Sequence, residues 1–253
     1  MLWHKSWLET RWRFLIGLAV VCCGAAGMVL VWPKIAELLP LASSLQVSGE
    51  LGRQVRESVE LSRDYRGYIW SQWFRQNGSH LGTLFAVLLG TGGLLSQPSG
   101  VLFTLSLPIS RGRLLTTRMA TGILELLVLT VAPSLFISLL SPSVGKTYSV
   151  TDALIHSSCL FIAAAAFYSL ACLLSTVFND LWRPLLLALL AALALAFIEQ
   201  LAGDSLRYGV FRVMHGESYF LAGDVPWRGL LALTAASAGM LYGAVVRTLR
   251  QDF

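Results

Sequence analysis

Charge is what this 253-residue chain has least of: Asp, Glu, Lys and Arg together make up 13% of it. A soluble domain carries about 25%, so a water-exposed surface of this size cannot be assembled from these residues. Disorder is excluded on the same ground, because disordered chains are rich in charge and poor in apolar residues, whereas 55% of this chain is apolar and its mean hydropathy is +0.66. An integral membrane protein remains. There are 4 cysteines, Cys22, Cys23, Cys159 and Cys172, all inside long apolar runs. None lies in a polar loop where a secreted disulfide framework would form, and no CxxC occurs. The adjacent Cys22-Cys23 pair reads as apolar helix packing.

Catalytic patterns are equally scarce. His4, His80, His156 and His215 are scattered, with no HExxH. Neither a GxSxG elbow nor a paired-carboxylate motif occurs. Gly145-Lys146-Thr147 resembles the tail of a phosphate loop, but the glycine such a loop needs five residues before Gly145 is Leu140. Met214 and His215 lack a third metal ligand. No catalytic residue, no metal site and no cofactor bound by this chain are therefore expected, and nothing calls for a nucleic-acid partner.

What is present is a series of six apolar runs: Phe14 to Trp32, His80 to Leu95, Met119 to Leu140, Leu154 to Val177, Leu185 to Leu201 and Leu230 to Val246. The first is too long for the core of a cleaved signal peptide. Each must be helical, because lipid cannot satisfy free backbone N–H and C=O groups. The expected fold is an all-α integral membrane protein with six transmembrane helices and an N-terminal interfacial helix, forming one transmembrane domain over 1–253. Basic residues set the orientation. With the N-terminus inside, the inner segments carry Lys5, Arg11, Arg13, Arg111, Arg113, Arg118, Arg183, Arg247 and Arg250 against Glu9, Asp180 and Asp252. The outer segments are nearly balanced. Both termini are therefore expected to be cytoplasmic.

The connections differ in character. Residues 1–13 set Trp3, Trp7 and Trp12 among basic residues, the pattern of a helix lying on the cytoplasmic leaflet. An outer helical segment is expected over 33–79. Leu51, Val55 and Val59 recur every four residues there, and Tyr65, Tyr68, Trp70, Trp73 and Phe74 have the composition of an interfacial belt. Residues 202–228 form a second outer interfacial loop. Within the spans, Glu125 is the one acid well inside an apolar run. Arg118, seven residues earlier, shares its helix face. Two readings stay open, a polar lining of a path and a structural ion pair. Gly239 and Gly243 form a GxxxG pair suited to helix packing.

The cytoplasmic loop 96–118 carries the most information. Pro98, Ser99 and Gly100 end the second span, Val101 to Leu107 is apolar, Pro108 marks a boundary, and Ser110 can cap a new helix bearing Arg111, Arg113 and Arg118. The string Leu105-Ser106-Leu107-Pro108-Ile109-Ser110-Arg111, followed by Leu114-Leu115, resembles the L-x-L-P-[VI]-S-R-x-x-L-L segment of type-2 ATP-binding-cassette (ABC) permeases. The resemblance implies six spans with both termini inside. It also implies that Leu107, Pro108, Ser110, Arg111, Arg113 and Leu114 form a coupling helix docking on a separate ABC ATPase. That partner would use ATP and Mg. The resemblance further implies a second permease chain, identical or related, in the cell (inner) membrane, and an exporter as the function. One departure is that no Asp or Glu occurs from Ser96 to Thr117. The competing reading is a non-transporting six-span assembly or sensor protein that binds an extracellular partner.

Overall fold

A computed structural model describes residues 2–44, 59–91, 111–178, 180–203 and 208–250. Among them there is helix and no strand. Helix α1 spans Leu2–Ser44. Helix α2 is built of three consecutive stretches, an α-helical Tyr65–Ile69, a π-helical Trp70–Asn77 and an α-helical Gly78–Gly90. Then come α3 (Arg111–Leu140), a 3-10 turn (Ser141–Val144), α4 (Val150–Ser175) and α5 (Trp182–Ala202). Two short helices, α6 (Val210–His215) and α7 (Glu217–Ala222), precede α8 (Trp227–Arg250).

Five segments are long and apolar enough to cross a membrane: Thr10–Pro40, Gly112–Val144, Val150–Ser175, Trp182–Ala202 and Trp227–Arg250. The chain is thus a multi-pass membrane protein by its helices. The run expected as the second span, His80 to Leu95, lies in the sixth long segment, α2. That helix begins fifteen residues earlier than the run, at Tyr65, and its middle carries Gln72, Arg75, Gln76 and Asn77. Those side chains withhold it from the apolar class, and Leu94 and Leu95 fall outside the described residues.

The six long segments alternate in direction. At one end Thr10 of α1 touches Glu125 of α3, Arg13 reaches Leu88 of α2, and Gly112 of α3 approaches Leu249 of α8. At the other end Trp32 of α1 packs on Tyr65 and Tyr68 of α2, Tyr65 meets Ser141, and Arg66 meets Asp152 of α4. Leu2 and Arg250 consequently lie at the same end.

Helix α4 is the centre. Its buried face is small, with Ala153, Ala163, Ala164 and Ala171 all at 0% exposure. Small side chains let helix backbones come close where lipid supplies no hydrophobic drive. A Cβ added to Gly90 of α2 would stand 2.6 Å from the Tyr168 carbonyl oxygen and 2.7 Å from Ala171 Cβ. A Cβ on Gly122 of α3 would overlap the Tyr168 ring. Ser157 and Ser169 of α4 are fully buried, yet their hydroxyls donate to Leu154 and Ala165 carbonyls of their own helix, so burial leaves no orphan there. The Tyr168 hydroxyl donates to Met119 O across to α3 at 3.1 Å. Ser149 caps the start of α4, accepting from Asp152 N.

Three expectations are revised. Helix α1 is continuous from Leu2, so residues 1–13 are not set off from the span as a separate interfacial helix. No proline or glycine stands between Leu2 and Leu15 to break it. The expected outer segment 33–79 is divided: its beginning extends α1 to Ser44 and its end forms α2 from Tyr65. The aromatic group Tyr65, Tyr68, Trp70, Trp73 and Phe74 is buried, none above 4% exposed. It is internal packing between helix ends rather than an exposed belt, because α1, α4 and the α6–α7 elbow close over it.

The close approach at Gly90 is testable. Gly90→Ala should destabilise the bundle by about 1–3 kcal/mol, the cost of forcing a methyl against a backbone carbonyl. Gly239→Ala, whose Cβ would meet nothing within 4 Å, should stay within about 0.5 kcal/mol. Thermal unfolding of both variants in detergent would show the contrast.

Candidate functional site

The two ends of the bundle carry different polar chemistry. At the end holding Leu2 and Arg250, the coupling segment falls largely outside the described residues: Leu107, Pro108 and Ser110 are not among them. Arg111 opens α3, Arg113 is exposed and Leu114 is half-buried on the same first turn. The basic residues therefore lie at the mouth of a 30-residue helix that runs the depth of the bundle.

About four turns along α3 from Arg111, Glu125 is 4% exposed. Its Oε1 accepts from Thr10 Oγ1 of α1, a contact of 2.5 Å. Its Oε2 has no hydrogen-bond partner among the described residues. Arg118 acts on the same carboxyl electrostatically, so the two residues expected to share a face do bear on one another, although the group in contact with Glu125 is Thr10. Sequence alone could not have found Thr10, because 115 residues separate it from Glu125. Beside Glu125 a cleft of about 420 Å³ opens between α1 and α3, lined by Trp3, His4, Trp7, Phe14, Thr121, Leu124, Glu125 and Val128. Neighbouring donors close off the α2 C-terminus: Arg13 Nη1 and Thr91 Oγ1 donate to Leu88 O, and Ser175 Oγ donates to Gly90 O. Those carbonyls have no further turn to accept from.

The opposite end holds a network that the apolar runs gave no sign of. Asp152, in the first turn of α4, accepts from Arg66 Nε at 2.8 Å and from the Tyr219 hydroxyl at 2.8 Å. Phe220 stacks on Trp70 at 4.2 Å between ring centroids and also takes Arg66 over its face. Trp70 Nε1 donates to His215 O, and His156 Nδ1 lies 3.2 Å from the same oxygen. Gly216 makes the elbow between α6 and α7 with φ +62, and a Cβ there would stand 2.7 Å from His156 Nδ1. Only glycine combines that backbone with that approach. Glu199, at the end of α5, accepts from the N–H groups of Phe211 and Arg212 that start α6. These contacts fasten 208–222, within the stretch expected as an outer interfacial loop, 202–228, as a cap on the bundle. The signal available in sequence was the Ser149-x-x-Asp152 capping pattern and the alternation of aromatics with Arg66 and Arg75.

Burial, reinforced by the Asp152 carboxylate, pushes the Tyr148 phenol up. His215 is pushed down to about 3, first by burial and then by Arg75 and His80, which keeps its ring neutral. Gly243 sits near Leu173 while Gly239 meets nothing, so the two glycines do not share one packing partner inside the chain. No three His, Cys, Asp or Glu side chains converge among the described residues. Compared with protein-family models, with curated proteins and with solved structures, the chain matches none.

The cap makes stability depend on pH. Unfolded, His215 takes up a proton near pH 6.5; folded, only near 3. Unfolding therefore binds a proton throughout that window, and stability falls as pH drops below about 6.5. Between pH 7.5 and 5.5 this share amounts to about 1 kcal/mol. His215→Gln leaves the backbone acceptor of Trp70 in place and should remove that share, seen as a smaller drop in melting temperature across the same interval.

Proposed function

We propose that the chain is the membrane-spanning permease subunit of an ATP-driven ABC transporter, acting as an exporter, with ATP hydrolysis performed by a separate cytoplasmic ATPase. The observation that carries this reading is the Leu107-Pro108-Ile109-Ser110-Arg111 segment joining the second and third of six helical segments. The described residues on either side of it, Thr91 and Gly112, lie at the same end as Leu2 and Arg250, where basic residues outnumber acidic ones. Supporting it, the six segments alternate in direction, as six crossings with both termini cytoplasmic require. In this reading α2 is the sixth crossing, shielded from lipid by its neighbours: Gly78, Ser79, Thr83 and Ala86 are all buried.

The mechanism follows from the helix that begins at Arg111. A docked ATPase pulls or pushes the coupling segment, and α3, continuous to Leu140, carries the displacement into the bundle. A helix moves as a rod of about 1.5 Å per residue, so force applied at its basic mouth is carried along α3 as far as Pro133, where the missing N–H interrupts the hydrogen-bond ladder. The broad exposed flank of α5, with Leu186, Leu190, Leu193, Phe197 and Leu201 all above 60% or at it, supplies surface for lipid or for the second permease chain. The cell membrane is the compartment this reading requires.

Replacing Leu107 to Leu114 by a Gly-Ser linker should abolish co-purification with the partner ABC ATPase that this reading requires. The membrane yield and melting temperature of the chain should stay near wild type, which separates lost docking from lost folding. Undiminished ATPase binding by the linker variant would remove the basis of the assignment.

A further inference from the structure

The cleft between α1 and α3 has features that the coupling reading does not use. Its floor is Glu125, a carboxylate 4% exposed whose Oε2 meets no donor among the described residues. Its walls are the rings of Trp3, Trp7 and Phe14 and the side chains of Leu124 and Val128. Trp3, Trp7, Leu124 and Val128 are exposed, at 53%, 40%, 53% and 42%. Trp3 and Trp7 precede the apolar segment of α1, which begins at Thr10, so the cleft opens on the outer side of α1 and α3 where polar and apolar surface meet. Its volume of about 420 Å³ falls within the 300–1,000 Å³ range of small-ligand sites.

We propose that this cleft binds a cationic amphiphile, an ammonium group on a hydrocarbon tail, entering from the surrounding leaflet. In its carboxylate form Glu125 accepts hydrogen bonds and donates none, and a cation seated beside it favours that form, so Oε2 selects a donor or a positive charge over an anion. Trp3 and Trp7 add aromatic faces, which attract ammonium groups through the ring quadrupole. The apolar walls accommodate the tail without leaving a polar group unpaired. Arg118 bears on Glu125 electrostatically, yet Oε2 is buried without a hydrogen-bond partner among the described residues, and a head group seated at the cleft floor would give that oxygen its partner. An intramembrane acid is costly to maintain and faces protein, water or a counter-ion; the ammonium is that counter-ion. Binding is a property of this chain alone and needs no ATPase, so it stands or falls separately from the coupling assignment.

The test uses the full chain in phosphatidylcholine nanodiscs and follows quenching of tryptophan fluorescence by an alkyltrimethylammonium with a brominated tail. Wild type should quench saturably, whereas the same brominated tail on a maltoside head should show only linear partitioning. Glu125→Gln keeps the acceptor for Thr10 but loses the charge, and should weaken the ammonium probe by at least about tenfold. Val128→Phe leaves Glu125 untouched and fills the cleft. It should abolish saturation, which keeps the test decisive if Glu125→Gln fails to fold. Adding phosphatidylethanolamine separates the two sources of the head group: competition identifies a membrane lipid as the occupant, and no competition identifies a free amphiphile. Equal affinity in wild type and Glu125→Gln, saturation that survives Val128→Phe, or equally tight binding of the maltoside would overturn the proposal.

Discussion

Everything in this fold depends on how closely α4 approaches α2 and α3. In lipid, apolar side chains gain nothing by leaving the solvent, so association must come from packing and from hydrogen bonds. Gly90, Gly122 and the alanines of α4 bring three backbones within reach of one another, and Tyr168 fills the junction with its hydroxyl tied to Met119 O. The remaining helices are arranged around this contact. Helix α1 lays a stripe of Gly17, Val21, Ala25, Val29 and Trp32 against it at intervals of three or four residues, the spacing of one helical face. Helix α5 buries only Pro184, Ala188 and Ala192, and its opposite flank is left to lipid or a partner.

A tight apolar centre pushes polar chemistry to the ends, and the two ends do it differently. Near the termini the charges stand on helices: Arg13 closes the α2 C-terminus, Arg118 bears on Glu125, and Arg183 pairs with Asp180 beyond α4. At the far end they serve to fasten a cap, with Asp152 joining Arg66 to Tyr219 and Glu199 holding the start of α6. At the first end Glu125 Oε2 has no hydrogen-bond partner among the described residues, an acceptor that a ligand can use. At the second, Asp152 and Glu199 are each held by two donors, and such a network contributes to rigidity.

The sequence foretold that the runs are helical better than where the helices end, and five of them are long and apolar enough to cross a membrane. Long uncharged runs such as Phe14 to Trp32 require helix wherever they meet lipid, so their existence follows from composition. Boundaries do not: the break expected near residue 13 is absent because Trp12-Arg13-Phe14 are all tolerated in a helix, and tryptophan beside arginine is compatible both with a helix on the membrane surface and with the entrance to a crossing one. Helix α2 shows a further limit. Gln72 to Asn77 fall in the outer segment expected to be helical, but the chain runs through them into the next apolar run without a break: Trp73 and Phe74 are buried while Arg75, Gln76 and Asn77 are exposed, and a π-helical stretch accommodates the irregular spacing of Trp70, Trp73 and Phe74. Glu125 was visible as an anomaly from its position alone. Thr10 and the Asp152 network were not, since long-range partners leave no periodic trace.

Helix α3 links the two proposals mechanically. Arg111 and Glu125 are fourteen residues apart on one unbroken helix, about 21 Å at 1.5 Å per residue. In the proposed transporter, the element gripped by the ATPase is therefore also one wall of the cleft. The other wall, α1, is held to it at Glu125 through Thr10 and lower down by side-chain packing alone. A displacement of α3 along or about its axis would shift Leu124 and Val128 past Trp3 and Trp7, opening or closing the cleft, while α4 held against Gly122 limits the travel. The carboxylate sits where such a movement has most effect: one oxygen is held by α1, and the other is committed to nothing within the described chain. Coupling and ligand binding on this helix then share a single moving part, and a ligand that bridges Glu125 to the tryptophans of α1 would resist the same displacement that the ATPase drives.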